Sequence, residues 1–286
     1  MYDPPLSRLS VLTPGKKEEE MRYAHYPSDL TDRQWNYIKH SLPLPRRGGR
    51  PRSTSLRRVV NGILYLHHSG CPWRYLPKSF PPWQTIYDYF YKWSHGGVWK
   101  RLVHELHIFV RLRDHKNALP SLGIIDSQSV KAFRGEDIGK DGYKKVKGRR
   151  RHILVDALGI ILGCRVRAGN IPDPDGGIEI LERLPKDIEH SLKKILGDGQ
   201  YSARFMANSV LLHHIDVQTT RDLTKQRIGY MQKGFLGMPK RWIVERTFAW
   251  FNNYRRLARD YEGRTLHSEA MLYIAMLPIL LHRLAN

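Results

Sequence analysis

Three acids, Asp126, Asp198 and Glu245, have the residue type and surroundings to do chemistry. Asp126 ends Leu122-Gly-Ile-Ile-Asp126, a run that is apolar up to its carboxylate and reads as a short buried strand. Ile195-Leu-Gly-Asp198-Gly has the same form. Glu245 lies in Lys240-Arg-Trp-Ile-Val-Glu-Arg-Thr-Phe-Ala-Trp250, which reads as helix. A carboxylate at the exit of a buried strand is held rigidly while its oxygens reach solvent or a cation. Two strand ends and a helix would thus supply the hard oxygen donors that a pair of Mg²⁺ ions needs, with Mn²⁺ as a substitute and about 3.5–4 Å between the ions.

Each acid also has a plainer reading. An Asp after a strand forms turns or caps helices, and Glu245 can pair with Arg241 one helical turn earlier for only about 0.2–0.5 kcal/mol. Charge decides between the readings. The chain carries 48 Lys+Arg against 27 Asp+Glu, a net charge of +21 with a pI near 10.1. Such an excess points to a polyanionic partner, because each neutralised phosphate releases counterions. In so basic a chain, acids kept at strand ends beside polar loops are best explained by metal ligation. Asp156 reads as a hairpin-turn residue, and Asp173 and Asp175 as caps of a following helix.

Composition excludes other classes. Seven Trp, 15 Tyr and 8 Phe argue for a packed core rather than a histone-like tail. Cys71 and Cys164 form neither a zinc signature nor a disulfide framework, which fits a reducing cytoplasm. The pairs His67-His68 and His213-His214 lack metal-site spacing, since neighbouring side chains on a helix diverge. The N-terminus shows no signal peptide, and the longest apolar run, Ala270 to Leu281, is interrupted by Pro278, falls short of a membrane span and reads as a core helix closing the domain.

These acids need a scaffold. Residues 1–24 read as a disordered leader, with Met21 an alternative start. Residues 25–116 read as a helical DNA-binding domain of helix-turn-helix character. Its signals are the Thr31/Gln34 capping box with a Leu30–Trp35 staple, a helix over Leu56–Leu64 stopped near Gly70, a third opening at Pro81-Pro-Trp83, and a fourth over Val98–Arg113. Tyr87, Tyr91 and Lys92 are core or DNA-facing. The basic stretch Arg46-Arg-Gly-Gly-Arg-Pro-Arg52 is a phosphate-tracking arm or a solvated linker.

From 117 to 286 the pattern changes: the Asp126 strand, a basic loop, a β-hairpin over His152–Val166, then alternating helices and strands. This gives an α/β fold, a mixed sheet with helices on its faces, of RNase H-like type. In the basic loop Lys144, Lys145, Lys147, Arg149, Arg150 and Arg151 are expected to hold a phosphate backbone, and segment 221–238 is read as a loop.

With these residues in view the chain resembles the DDE transposases of bacterial insertion sequences, insertion-sequence-five type. The resemblance rests on Leu30-Thr-Asp-Arg-Gln-Trp35, Arg46–Arg52, Gly70-Cys-Pro-Trp-Arg74, Pro81-Pro-Trp-Gln-Thr85, Ile125-Asp-Ser-Gln-Ser-Val-Lys131, Lys147–Asp156, Trp242–Trp250, Tyr254-Arg-Arg-Leu and Asp260-Tyr-Glu262. It implies an RNase H-like core with Asp126, Asp198 and Glu245 as catalytic, metal-holding triad. It also implies cleavage at terminal inverted repeats, joining to target DNA, and a dimer or larger assembly. Of the superfamily's signature around the glutamate, Arg241 and Glu245 match. Met238 stands where a tyrosine is expected and Asn252 where a lysine is, so Arg255 or Arg256 would supply the cation. Arg241 and Arg246 are expected beside the DNA phosphates. Two other readings share the charge: a repressor with an inactive core, and a junction-type nuclease.

Overall fold

Thr31 accepts the N–H of Gln34 at 3.2 Å while Gln34 accepts the N–H of Thr31 at 3.0 Å, the reciprocal cap that starts helix α1 (Asp32–Ile38). The computed structural model describes residues 26–45, 48, 52–201, 203–220 and 240–285. The leader, Arg46, Arg47, Arg50, Met238 and the 221–238 segment therefore lie outside the described residues.

Three helices follow: α2 (Leu56–Ser69), α3 (Trp83–His95) and α4 (Val98–Arg113). Helix α2 ends at Gly70 with φ +73°, a left-handed cap that glycine adopts at low cost. The apolar spacing of α3 and α4 is realised as burial of Ile86, Phe90, Trp93, Leu102 and Leu106. Tyr87 packs on Trp73 and Phe90 at the core margin, and Tyr91 stacks on His95.

The sheet comprises β1 (Leu122–Lys131), β2 (Gly139–Asp141), β3 (Val146–Asp156), β4 (Ile161–Ala168), β5 (Lys194–Gly197) and β6 (Asp216–Thr219). β1, β3 and β4 form an antiparallel meander, β2 pairs with the start of β3, and β5 and β6 join parallel on the far side of β1. Helices α5 (Asp173–Leu181), α6 (Lys186–Ser191) and α7 (Ala203–His213) belong to one face, where Ile125, Leu154, Ile195, Ile180, Tyr201 and Phe205 share a core. The other face carries Ile124, Ile153, Val155 and Leu196, covered by α8 (Trp242–Phe251) and α9 (Thr265–Ala285). Three antiparallel strands, two parallel ones and helices on both faces make an RNase H-like core.

One expectation needs correction. β1 does not stop at Asp126 but runs five residues further, paired with β3 as far as Lys131↔Gly148. Most of the basic loop is therefore strand, because β3 is buried on both faces and paired on both edges, with β1 and with β4, which a lone segment could not be. The apolar run Ala270–Leu281 forms the core helix expected of it, and Pro278 lies inside that helix without ending it. It removes one N–H from the ladder, but burial of Leu277, Leu280 and Leu281 on either side carries α9 through it. With 21 residues α9 is long and apolar enough to cross a membrane, yet it lies in the protein core, packed on α1 to α4 as well as β4.

Candidate active site

Leu122, Gly123 and Ile124 pair in parallel with Lys194, Ile195 and Leu196. Continued by two residues, that register leads from Ile124 to Asp126 on β1 and from Leu196 to Asp198, the first residue past β5. β5 ends at Gly197, so beyond it β1 has lost its parallel neighbour and the sheet opens into a crevice at the carboxyl end of β5. Gly197 is needed there: a Cβ would come within 3.1 Å of Ile125 and 3.2 Å of Tyr201 on the opposite face.

The two aspartates are held differently. Asp126 is 14% exposed and accepts the Ser127 N–H at 2.7 Å. Burial pushes its carboxyl up to about 6, with neighbouring Asp198 adding to the rise, against the opposing pull of the Ser127 N–H, Arg241 and Lys144. Asp198 is half-buried and caps the turn after β5 by accepting the Gln200 N–H at 2.8 Å.

Helix α8 brings the third acid. Ile243, Val244, Phe248 and Phe251 face the core, which leaves Glu245 on the outer side of the first turn, 58% exposed. Arg241 stands between the acids, its Nη2 3.9 Å from Asp126 Oδ2 and its Nε 3.5 Å from Glu245 Oε1. Among the described residues no three His, Cys, Asp or Glu side chains lie close enough together to hold a metal ion. The expected convergence is thus two aspartates side by side, with a glutamate on their face of the sheet and an arginine between.

The seating of α8 depends on residues that the sequence reading placed elsewhere or passed over. Asp156 makes the β3–β4 turn as expected, its Oδ1 accepting the N–H of Leu158 and Ile160 at 2.9 and 3.0 Å. It is also buried, and its Oδ2 takes His107 Nε2 at 3.0 Å and Arg111 Nη1 at 2.5 Å from α4. Burial pushes its carboxyl up, but these partners outweigh that and hold it below the usual carboxylate range. The turn then docks α8: Thr247 Oγ1 donates to the Gly159 carbonyl at 2.8 Å and Arg246 Nη2 to the Leu158 carbonyl at 3.0 Å. The signal in the sequence was His107 and Arg111 at i, i+4 on an otherwise apolar helix face.

Several basic residues expected on DNA are committed inside the protein. Arg149 is fully buried, donating to Asp260, Ser268 and the carbonyls of Glu136, Glu262 and Gly263. Arg150 is paired with Asp141 at 2.6 Å and Asp173 at 3.1 Å, and Arg151 is buried against the Leu257 carbonyl. Arg256 is buried on Glu262 at 2.8 Å. A guanidinium bonded inside the protein cannot reach a phosphate without losing those partners. Arg246 is half-buried, stacked between Trp242 and Trp250. Arg52 donates to the Pro43 carbonyl at 3.1 Å. Lys144, Lys145, Lys147 and Arg255 are exposed. Asp173 and Asp175, rather than capping by side chain, pair with Arg150 and Arg204.

An RNase H-like sheet with paired aspartates at its parallel edge and a glutamate-bearing helix over them defines the class: a phosphoryl-transfer enzyme acting on nucleic acid. The family follows from comparison. The family model described as transposase DDE domain matches residues 117–280, and that of the IS4/5 transposase family matches residues 30–103. The chain belongs to the DDE transposases and acts on DNA.

The insertion element IS402 uncharacterized 16.2 kDa protein of Burkholderia cepacia is 32% identical over 122 residues, covering 39% of this chain and 79% of that one. The uncharacterized protein y4sN of Sinorhizobium fredii is 30% identical over 69 residues, 24% of this chain and 55% of its own. The crystal structure of the Mos1 strand transfer complex aligns over 84% of this chain and 79% of its own at 12% identity, with a TM-score of 0.25.

Proposed function

We propose that the protein binds the terminal inverted repeats of an insertion sequence, cuts the strand there and joins the freed end to target DNA, with Asp126, Asp198 and Glu245 as its catalytic acids. The observation that supports the reading is the parallel β1–β5 register, which leads toward Asp126 on β1 and Asp198 just past the end of β5, the first of them buried enough to be pushed up to about 6. Two like charges kept side by side in a partly dry site call for a cation, and the donors are oxygen only, as Mg²⁺ or Mn²⁺ prefers. Asp126 and Asp198 would hold the ions, and Glu245 would join them by turning its flexible side chain away from Arg241. Divalent ions at such a site activate a water or 3′-hydroxyl and stabilise the leaving oxygen. Arg241, released from the acids, is then placed to meet a DNA phosphate.

Exposed Lys144, Lys145, Lys147 and Arg255, with the Arg46–Arg52 arm, would track the backbone. Bringing two element ends together calls for a dimer or larger assembly, working in the bacterial cytoplasm. The test is strand cleavage of supercoiled donor DNA carrying the element's ends. Asp198→Ala should abolish Mg²⁺-dependent cutting while DNA binding persists; wild-type cutting by that variant removes the assignment.

A further inference from the structure

Tyr143 is 93% exposed, the most of any large hydrophobic side chain among the described residues, and it sits in the turn between β2 and β3. Its backbone, by contrast, is tied down. The buried Asp141 carboxylate accepts the N–H of Tyr143 and of Lys144 at 3.0 Å each, together with the Ser129 hydroxyl and Arg150 Nη2. Lys145 then turns the chain with φ +54°. Ser129 lies on β1 three residues past Asp126, so this hydrogen bond pins the turn to the strand that carries the first acid. Three residues of strand span about 10 Å, so the turn lies about that far along β1 from the first acid. Lys140, Lys144, Lys145 and Lys147 around the ring are all exposed. A bare aromatic ring on a fixed support among free ammonium groups suits an unpaired nucleotide, whose base stacks on the ring and whose phosphate meets the cations.

We infer that the Tyr143–Lys144 turn binds one unpaired nucleotide of the DNA strand beside the cut, the Tyr143 ring stacking on its base and Lys144 pairing with its phosphate. The inference rests on the proposal that the crevice next to it cleaves DNA, and it adds a site for a base drawn out of the double helix. Because hydrogen bonds to Asp141 set the turn and the ring packs on nothing, the ring is presented without rearrangement of the core.

The experiment uses the full chain and a forked duplex with 2-aminopurine as the first unpaired base, against a fully paired duplex of the same sequence. The wild type should quench the probe and prefer the fork by about tenfold, within the range of one base–aromatic stack. Tyr143→Ala should lose both quenching and preference at an unchanged melting temperature, and Tyr143→Phe should keep both. Lys144→Ala should weaken binding to both duplexes alike while the bound probe stays quenched. Quenching and fork preference in Tyr143→Ala equal to the wild type would overturn the inference, as would no fork preference in the wild type. Binding is read without cleavage. A wild type that stacks the base through Tyr143 but never cuts DNA with Mg²⁺ would sink the catalytic reading and leave this site standing.

Discussion

At the residue scale, Asp126 and Asp156 make opposite demands on pH. Asp126 is raised from 3.8 to about 6 in the fold, so the unfolded chain ionises first and the folded state is penalised as pH climbs through that interval. Asparagine is neutral throughout. Asp126→Asn should therefore be more stable than the wild type at pH 8 by up to about 3 kcal/mol, with the margin gone by about pH 3. Thermal melts at both pH values check this, and equal melting of the two proteins at pH 8 would contradict it. Asp156 is held below its ordinary 3.8, so its contribution is present above that value and is lost as pH falls through and below it. Asp156→Asn strips Arg111 and His107 of their charged acceptor and should cost about 3–5 kcal/mol at pH 7 by denaturant titration. The acids at 126 and 198 were legible because each ends an apolar run; the burial partners of Asp156 were not. Nothing local in Val-Asp-Ala-Leu-Gly says that a histidine and an arginine some fifty residues earlier will arrive at that carboxylate.

At the element scale, periodicity carried most of the helices, and the reciprocal Thr31–Gln34 cap follows from four consecutive residues. Thr31→Ala should cost about 1 kcal/mol and leave the sheet untouched, a small drop in melting temperature with an unchanged near-ultraviolet spectrum. β3 was harder to read. In Lys147-Gly-Arg-Arg-Arg-His a run of cations looks like a solvated loop, because the acids that neutralise it, Asp141, Asp173 and Asp260, come from three other places in the chain. The strand alternation is still visible within the run: Arg149 and Arg151 turn toward the α8–α9 face and Arg150 toward the other. Helix α9 was legible as a core helix from its apolar run, and the local rule against proline is outweighed there by burial on both sides. Pro278 is only half-buried and still costs one hydrogen bond. Pro278→Ala should therefore raise stability by roughly 1–3 kcal/mol, measurable in urea.

At the scale of the whole molecule, the +21 charge is not one uniform field. Some of the 48 cations are taken up in internal ion pairs, which leave the net charge unchanged, and others stand on the surface. Replacing Lys144, Lys145 and Lys147 together by Ala should lower the slope of log Kobs against log salt by about 0.9 for each phosphate left without its lysine, with the fold intact. Arg149→Ala should instead unfold the protein, which tells buried from phosphate-facing cations in a single comparison. The helical N-terminal part and the sheet share one hydrophobic core, because α9 lies against α1, α2, α3 and α4 as well as β4.

That shared helix constrains how such a protein can be rebuilt. A chimera that imports residues 26–116 from a relative but keeps its own last helix would join two faces selected against different partners, and should aggregate or melt in two steps. Moving Thr265–Ala285 along with the graft restores the matched surface, so the portable unit is discontinuous: the beginning of the chain travels with its end.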